Sequence, residues 1–224
     1  MNKKLIFENW GIIDYQLAYK KQLNYFEKNI EKKQKLQQTD NFIIFVEHPH
    51  VYTLGKHGNQ NNLIVSDDFL KKINAKFYNT DRGGDITYHG FGQIVIYPII
   101  DLDNFNIHIK KYIFLLEEIV IQTLKEYKIN AQRLDNAPGI WLLERQRPEK
   151  ICAIGVKTSK NITMHGLAFN VNTNLDYFKY INPCGFTDKG VTSLKKELNK
   201  QIDINETIDI LKKYFKKLLS EKIS

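Results

Sequence analysis

The stretch 140-IWLLERQRPEKICAIGVKTSKNITMHGLAFNV-171 decides the kind of fold this chain builds. Its apolar runs at 140–144 and 151–156 flank a charged turn at 145–150, the pattern of a β-hairpin. Residues 162–171 form a further extended piece, interrupted locally at His165-Gly166. Extended segments therefore follow one another without intervening helices, and the chain has no regular β-α-β repeat and no GxGxxG turn. The expected class is α+β, a mixed or antiparallel sheet flanked by helices, rather than a doubly wound parallel sheet.

Upstream, residues 107–127 carry Ile109, Ile113, Leu116, Val120 and Leu124 at helical spacing, with Asn106 as the expected cap. The run 94–100 reads as a strand, in which Pro98 argues against an uninterrupted central ladder. Short strands are expected at 41–46, 51–54 and 77–79, the first ended by His48-Pro49. An amphipathic helix is expected over 12–35, with Ile13, Leu17, Ala18, Leu23, Phe26 and Ile30 on its apolar side. A last helix is expected near 206–219, presenting Ile210, Tyr214 or Phe215, and Leu218. No linker or repeat divides residues 1–224, which read as a single domain.

With 224 residues, 42% hydrophobic and 26% charged, the chain has enough apolar material for one substantial core. Its apolar runs are too short to span a bilayer, so neither secretion nor a membrane span is expected, and the cytoplasm is the expected compartment. The two cysteines, Cys152 and Cys184, show no metal spacing and read as free thiols. The six histidines include no HExxH; His48 and His50 alone make a weak pair, so no metal is expected. The formal charge of +8 is spread along the chain as lysine, which permits an acidic protein partner without arguing for nucleic acid.

Three segments can carry chemistry. Cys184 lies in Pro183-Cys184-Gly185, a tight turn on which a thiol can serve as nucleophile. The run from Arg82 through Gly83, Gly84, Asp85, Ile86, Thr87, Tyr88 and His89 to Gln93 sets glycines beside assorted polar groups, as a ligand wall does. It does not match a phosphate-binding P-loop. His165-Gly166, followed by Leu167, Ala168 and Phe169-Asn170, offers a wall whose apolar residues suit an acyl chain better than phosphate.

Taken in order, these segments resemble a known family. The blocks are residues 46–55 (VEHPHVYTLG), residues 82–93 with Tyr97-Pro98, residues 150–157, and residues 165–172 leading to Pro183-Cys184-Gly185; Val191-Thr192-Ser193-Leu194 and Glu197 continue the match. Together they resemble the octanoyltransferases of lipoate biosynthesis, within the biotin/lipoate protein ligase superfamily. The resemblance implies that superfamily's catalytic domain, with Cys184 as nucleophile and Lys150 as its partner. It implies a substrate wall of Arg82, Gly83, Gly84, Asp85, Ile86, Thr87, Tyr88 and His89, then Ala153, Ile154 and Gly155, then His165, Gly166, Leu167 and Ala168. Lys157 stands where the family commonly has arginine, and His50 where a second proline is frequent.

The chemistry implied is a ping-pong acyl transfer. The Cys184 thiolate, favoured by the Lys150 ammonium, takes octanoyl from octanoyl-acyl carrier protein. A lysine of a lipoyl domain, on a 2-oxoacid dehydrogenase complex or a glycine cleavage H protein, then takes it as an amide. Thioester exchange is nearly neutral and amide formation downhill, so no ATP and no cofactor are required. Lys150, His165 or His89 can remove the proton of the incoming amine. A monomer without nucleic-acid or membrane partners is expected. Two other readings are an ATP-dependent lipoate or biotin ligase on the same scaffold, and a non-enzymatic basic carrier- or RNA-binding protein. The concentration of site motifs opposes the last of these.

Overall fold

The computed structural model describes residues 2–144, 146–182 and 189–220. Central to it is a mixed seven-stranded sheet. Its strands are β1 (Leu5–Ile12), β2 (Asn41–Glu47), β6 (Gln93–Ile99), β7 (Ile140–Leu142), β8 (Glu149–Ser159), β9 (Ile162–Asn170) and β10 (Gly190–Val191). They lie in the order β1-β2-β6-β9-β8-β10, with β7 also paired to β8. The β1/β2 and β8/β10 pairs are parallel and the others antiparallel. This is the α+β class expected from the 140–171 stretch.

Both faces of the sheet are covered, which explains why its central strands read as unbroken apolar runs. Helix α1 (Tyr15–Gln34) sets Ala18 and Phe26 against Ile44, Val46, Val95, Tyr97 and Ala168. On the opposite face, α4 (Ile109–Glu126) and α6 (Ile204–Ser220) set Leu116, Val120, Leu211 and Phe215 against Ile43, Phe45, Ile96 and Phe169. The period-2 alternation of each strand feeds both cores, each large side chain adding about 1.5–3 kcal/mol on full burial.

The helices differ from the sequence reading in detail. The first begins at Tyr15, not residue 12, because Ile12 closes β1 and Asp14 caps the helix, its carboxylate accepting from the Gln16 and Leu17 amides. Leu17, expected inside, is 57% exposed. The buried side is Tyr15, Ala18, Gln22, Phe26 and Asn29. Asn29 belongs there because its amide exchanges hydrogen bonds with the Asp40 backbone. Asn106 does not cap the long helix; at φ 54 it closes the short α3 (Leu102–Phe105), and His108 precedes α4. In α6 the buried side is Ile208, Leu211, Phe215 and Leu219, one position round from that expected. Strand β1 was not anticipated. As an edge strand with Glu8, Asn9 and Gly11 in its run, it has little alternation of its own and depends on pairing with β2.

Pro98 acts as its chemistry requires. The β6 ladder to β9 stops at the Ile96–Leu167 pair, while the ladder to β2 continues through Pro98 to Ile99. Beyond it, the Thr163 hydroxyl donates to the Pro98 carbonyl and accepts from the Ile100 amide.

A smaller sheet, β4 (Lys76–Asn79), β3 (Val51–Leu54) and β5 (Ile86–His89), packs its own core of Tyr52, Leu54, Tyr88 and Ile181 with α2 (Asp67–Lys72). The loop between β4 and β5 reaches over β8: the Gly83 amide donates to the Val156 carbonyl. Gly155 makes this approach possible, because a Cβ there would lie 2.8 Å from the Gly83 carbonyl oxygen. Among the described residues no helix is long and apolar enough to cross a membrane.

Candidate active site

A cavity of about 470 Å³ lies between the β4–β5 loop, the β6, β8 and β9 strands and the start of α4. Arg82, Gly83, Gly84, Asp85, Ile86, Thr87, His89, Lys150, Ala153, Ile154, Gly155, His165, Gly166, Leu167 and Ala168 all line it. Segments far apart in sequence thus meet on one surface. Tyr88 does not. It turns to the other side of β5, stacks on Tyr177 at 5.0 Å and shares a 2.7 Å hydrogen bond with His50. Strand alternation gives Thr87 and His89 to the cavity and Tyr88 to the small core. Cys184 lies outside the described residues. The chain is described again from Lys189, and β10 pairs with β8 at Val191–Lys150, where the Thr192 amide donates to the Lys150 carbonyl.

The Lys150 ammonium donates to the Pro138 carbonyl at 3.2 Å and sits 4.6 Å from the centre of the Trp141 ring. Residues 136–138 also line the cavity. They join a helix to a strand and carry no sequence signal of a site.

One wall of the cavity is polar, and its hydrogen bonds have a fixed direction. The Arg82 guanidinium donates to the Thr53 carbonyl, the Thr53 hydroxyl and the Asp85 carbonyl at 2.7, 3.0 and 2.8 Å. Arg82 therefore braces the loop. The Thr53 hydroxyl, having accepted, donates to His89 Nε2 over 3.5 Å. His89 Nδ1–H then donates to the Gln93 side-chain carbonyl at 2.8 Å, and the Gln93 amide donates to Asn170. Asn170 donates in turn to the Thr192 carbonyl. The directions are fixed from the Gln93 end: its amide also donates to the Tyr88 carbonyl, so its oxygen accepts from His89 Nδ1–H and Nε2 of the neutral ring is left to accept from Thr53. Gln93 stood in the glycine-rich run, and Asn170 at the end of the wall that begins at His165-Gly166.

Along the cavity the character changes. Its middle is lined by Val95, Ala153, Gly155, Gly166 and Ala168. His165 lies at its far end along β8 from Lys150, and Tyr97 and Tyr15, the latter stacked on His89 at 6.2 Å, line it as well. His165 Nε2 lies 2.7 Å from the Asp81 carboxylate, whose other oxygen accepts from Lys157 at 2.5 Å. The His165 hydrogen bond, then Lys157, hold the Asp81 carboxyl well below the usual carboxylate range. Burial keeps His165 neutral against the pull of Asp81. An ionised Asp81 only accepts, so His165 carries its proton on Nε2. His165 pairs with Val156 across the β8/β9 ladder. Six strand steps from Lys150 to Val156 correspond to about 20 Å, so His165 stands at the opposite end of the cavity from Lys150. His89, tied through Gln93 and Asn170 to Thr192 beside the Lys150 carbonyl, is the histidine on the Lys150 side.

His48 backs the site. Its Nδ1–H donates to the Ile13 carbonyl at 2.7 Å, leaving Nε2 to accept from the Tyr97 hydroxyl at 2.6 Å. Burial pushes His48 down to about 4; burial, then the neighbouring His48, pushes His89 down to about 3. Between about pH 6.5 and 4 both rings are neutral in the fold and protonated in the unfolded chain. The unfolded chain then binds more protons, so stability falls with falling pH, by up to about 1.4 kcal/mol per pH unit for each ring. Urea titrations at pH 6.5 and 5.5 should show this loss, and His48→Gln should reduce the slope. An identical slope in that variant would remove His48 from the account.

A central mixed sheet whose cavity carries a lysine at one end and an apolar channel beyond it is a catalytic domain for handling an acyl group. The chain belongs to the family described as the lipoyl protein ligase A/B catalytic domain, whose model matches residues 18–216, and within it to the octanoyltransferases. It is 49% identical to the octanoyltransferase of Bacteroides thetaiotaomicron, over 98% of this chain and 97% of that protein. It is 48% identical to that of Christiangramia forsetii, over 100% and 99% of the two chains. In fold it is similar to a bi-partite lipoate protein ligase from Thermoplasma acidophilum, with a TM-score of 0.71 at 14% identity over 97% of this chain and 84% of that one. It is also similar to a lipoate-protein ligase A bound with ATP, with a TM-score of 0.69 at 17% identity over 98% and 86%.

Proposed function

We propose that the chain takes octanoyl from octanoyl-acyl carrier protein as a thioester on Cys184 and hands it to the side-chain amine of a lysine on a lipoyl domain. The overall activity is octanoyl transfer in protein lipoylation, an acyltransferase activity. The observation that carries the mechanism is the cavity itself: a lysine at one end, hydrogen-bonding groups beside it, and a wall of small apolar residues beyond. In the first half-reaction the Cys184 thiolate attacks the donor carbonyl, a new C–S bond forms, the donor's C–S bond breaks, and the carrier leaves as a thiolate that takes a proton from solvent. In the second, the acceptor amine attacks the same carbonyl, a C–N bond forms, the C–S bond breaks, and the amine proton passes to the released thiolate or to solvent. The fold is shared with ATP-using ligases and does not choose between the two chemistries. Near full-length similarity to proteins named octanoyltransferases favours transfer. We further propose that the enzyme works as a monomer in the cytoplasm, with lipoyl domains of 2-oxoacid dehydrogenase complexes or the glycine cleavage H protein as acceptors.

The test omits ATP. After mixing with octanoyl-acyl carrier protein, intact-protein mass should show one octanoyl adduct that maps to Cys184, and adding a lipoyl domain should move it onto a lysine. An enzyme that modifies the lipoyl domain only when ATP and free octanoate are supplied is a ligase.

A further inference from the structure

The cavity's far end is built differently from its middle. Gly155 and Gly166 let the Gly83 carbonyl and strand β6 approach closely, and one ladder step further along β8 and β9 the His165 imidazole lines the cavity. It is 2% exposed, stacks on Tyr19 at 6.0 Å and is fixed by Asp81, which Lys157 neutralises in turn. Its backbone is left-handed, φ 61, inside a strand. For a residue with a side chain that geometry costs about 1–3 kcal/mol and persists only where the surroundings enforce it. Met164 and His165, adjacent in the chain, both contact the α1 side, which regular strand alternation does not allow.

The length of the channel can be compared with an acyl chain. About 20 Å of strand separate Lys150 from the His165 partner Val156. A lysine side chain reaches about 6 Å, and an extended eight-carbon chain of roughly 1.5 Å bonds covers about 9 Å more. If the thioester lies beside Lys150, the methyl end of octanoyl arrives at Gly155 and Gly166, against the imidazole. A longer chain must push that ring off Asp81, breaking the hydrogen bond that fixes it and leaving the carboxylate to Lys157 alone.

We propose that His165, held in place by Asp81 as a positioning residue, is the end wall that limits the acyl chain to about eight carbons. This rests on the reading that the thioester forms at the Lys150 end. The experiment measures single-turnover acylation of Cys184, by intact mass, with hexanoyl-, octanoyl-, decanoyl- and dodecanoyl-acyl carrier proteins. In the unmodified enzyme the rate should fall beyond octanoyl. His165→Gly removes the wall at a backbone angle that suits glycine, and decanoyl capture relative to octanoyl should rise about 15-fold, or about fourfold per accommodated methylene. Asp81→Asn should shift the profile the same way by a smaller factor, through a ring that is less firmly held. As a check that needs no variant, an octanoyl chain with a terminal diazirine should crosslink to His165 or Gly166.

An unchanged decanoyl-to-octanoyl ratio in a His165→Gly enzyme that still takes up octanoyl would overturn the wall alone. So would crosslinks at Ile109 or Ile113. Failure of every chain length to acylate the unmodified enzyme would overturn the transfer reading, and the wall with it.

Discussion

Lys150→Ala should slow octanoyl capture at pH 7 by about 10- to 1,000-fold, with much of the loss recovered at high pH. A cation within a few ångströms lowers the pKa of an acidic group by about 1–3 units, and removing it takes away the corresponding fraction of thiolate. Lys150 donates to the Pro138 carbonyl and lies over the face of Trp141. Iodoacetamide alkylation against pH measures the effect directly. Cys152 will not confuse the result, since it is fully buried in β8 and burial pushes its thiol up, beyond the ordinary cysteine range. Alkylation profiles that superimpose for the two proteins would free Cys184 from any dependence on Lys150.

Gly166→Val should cost about 2–6 kcal/mol, a large part of the 5–15 kcal/mol that holds a typical domain together. A Cβ at this position would lie 2.2 Å from the Ile96 carbonyl oxygen and 2.5 Å from Pro98 Cδ. Both belong to the neighbouring strand β6, and neither can swing aside. Overpacking of this kind costs about 1–3 kcal/mol, and the φ of 156 adds backbone strain of similar size. Urea unfolding measures the cost, with Gly166→Ala expected to fall between the two. Stability retained to within about 1 kcal/mol would mean that β6 and β9 can separate here at little expense.

What could be read from the chain depended on whether the cause was local. Strands β2, β6, β8 and β9 were legible because burial on both faces gives runs such as 43–46 and 94–97. Helix faces were misjudged where a polar residue is inside for a long-range reason. Asn29 is buried to meet the Asp40 backbone, so the stripe rotates and Leu17 is left outside. The site followed the same rule. Its blocks could be found one at a time, and the fold sets them around one cavity. Tyr88 was included because a run of site-like residues does not reveal its own parity. Asp81, Tyr19 and Lys157 meet behind His165 from a loop, a helix and a strand, a juxtaposition that no spacing encodes. Asp81 did stand directly before the glycine-rich run, and its charge was the available hint.

The hydrogen-bond relay from Arg82 to Thr192 has a mechanical consequence. It begins on the loop carried by the small sheet and ends beside β10 on the large one, passing through His89, Gln93 and Asn170 of the cavity wall. The two sheets are therefore tied like the arms of a clamp already closed to its working gap, and opening them would break polar contacts in sequence. A slot of preset width spends little of an incoming chain's binding energy on rearranging the protein. Amide protons of β5, β6 and β9 should accordingly be among the slowest to exchange, with or without an acyl group aboard.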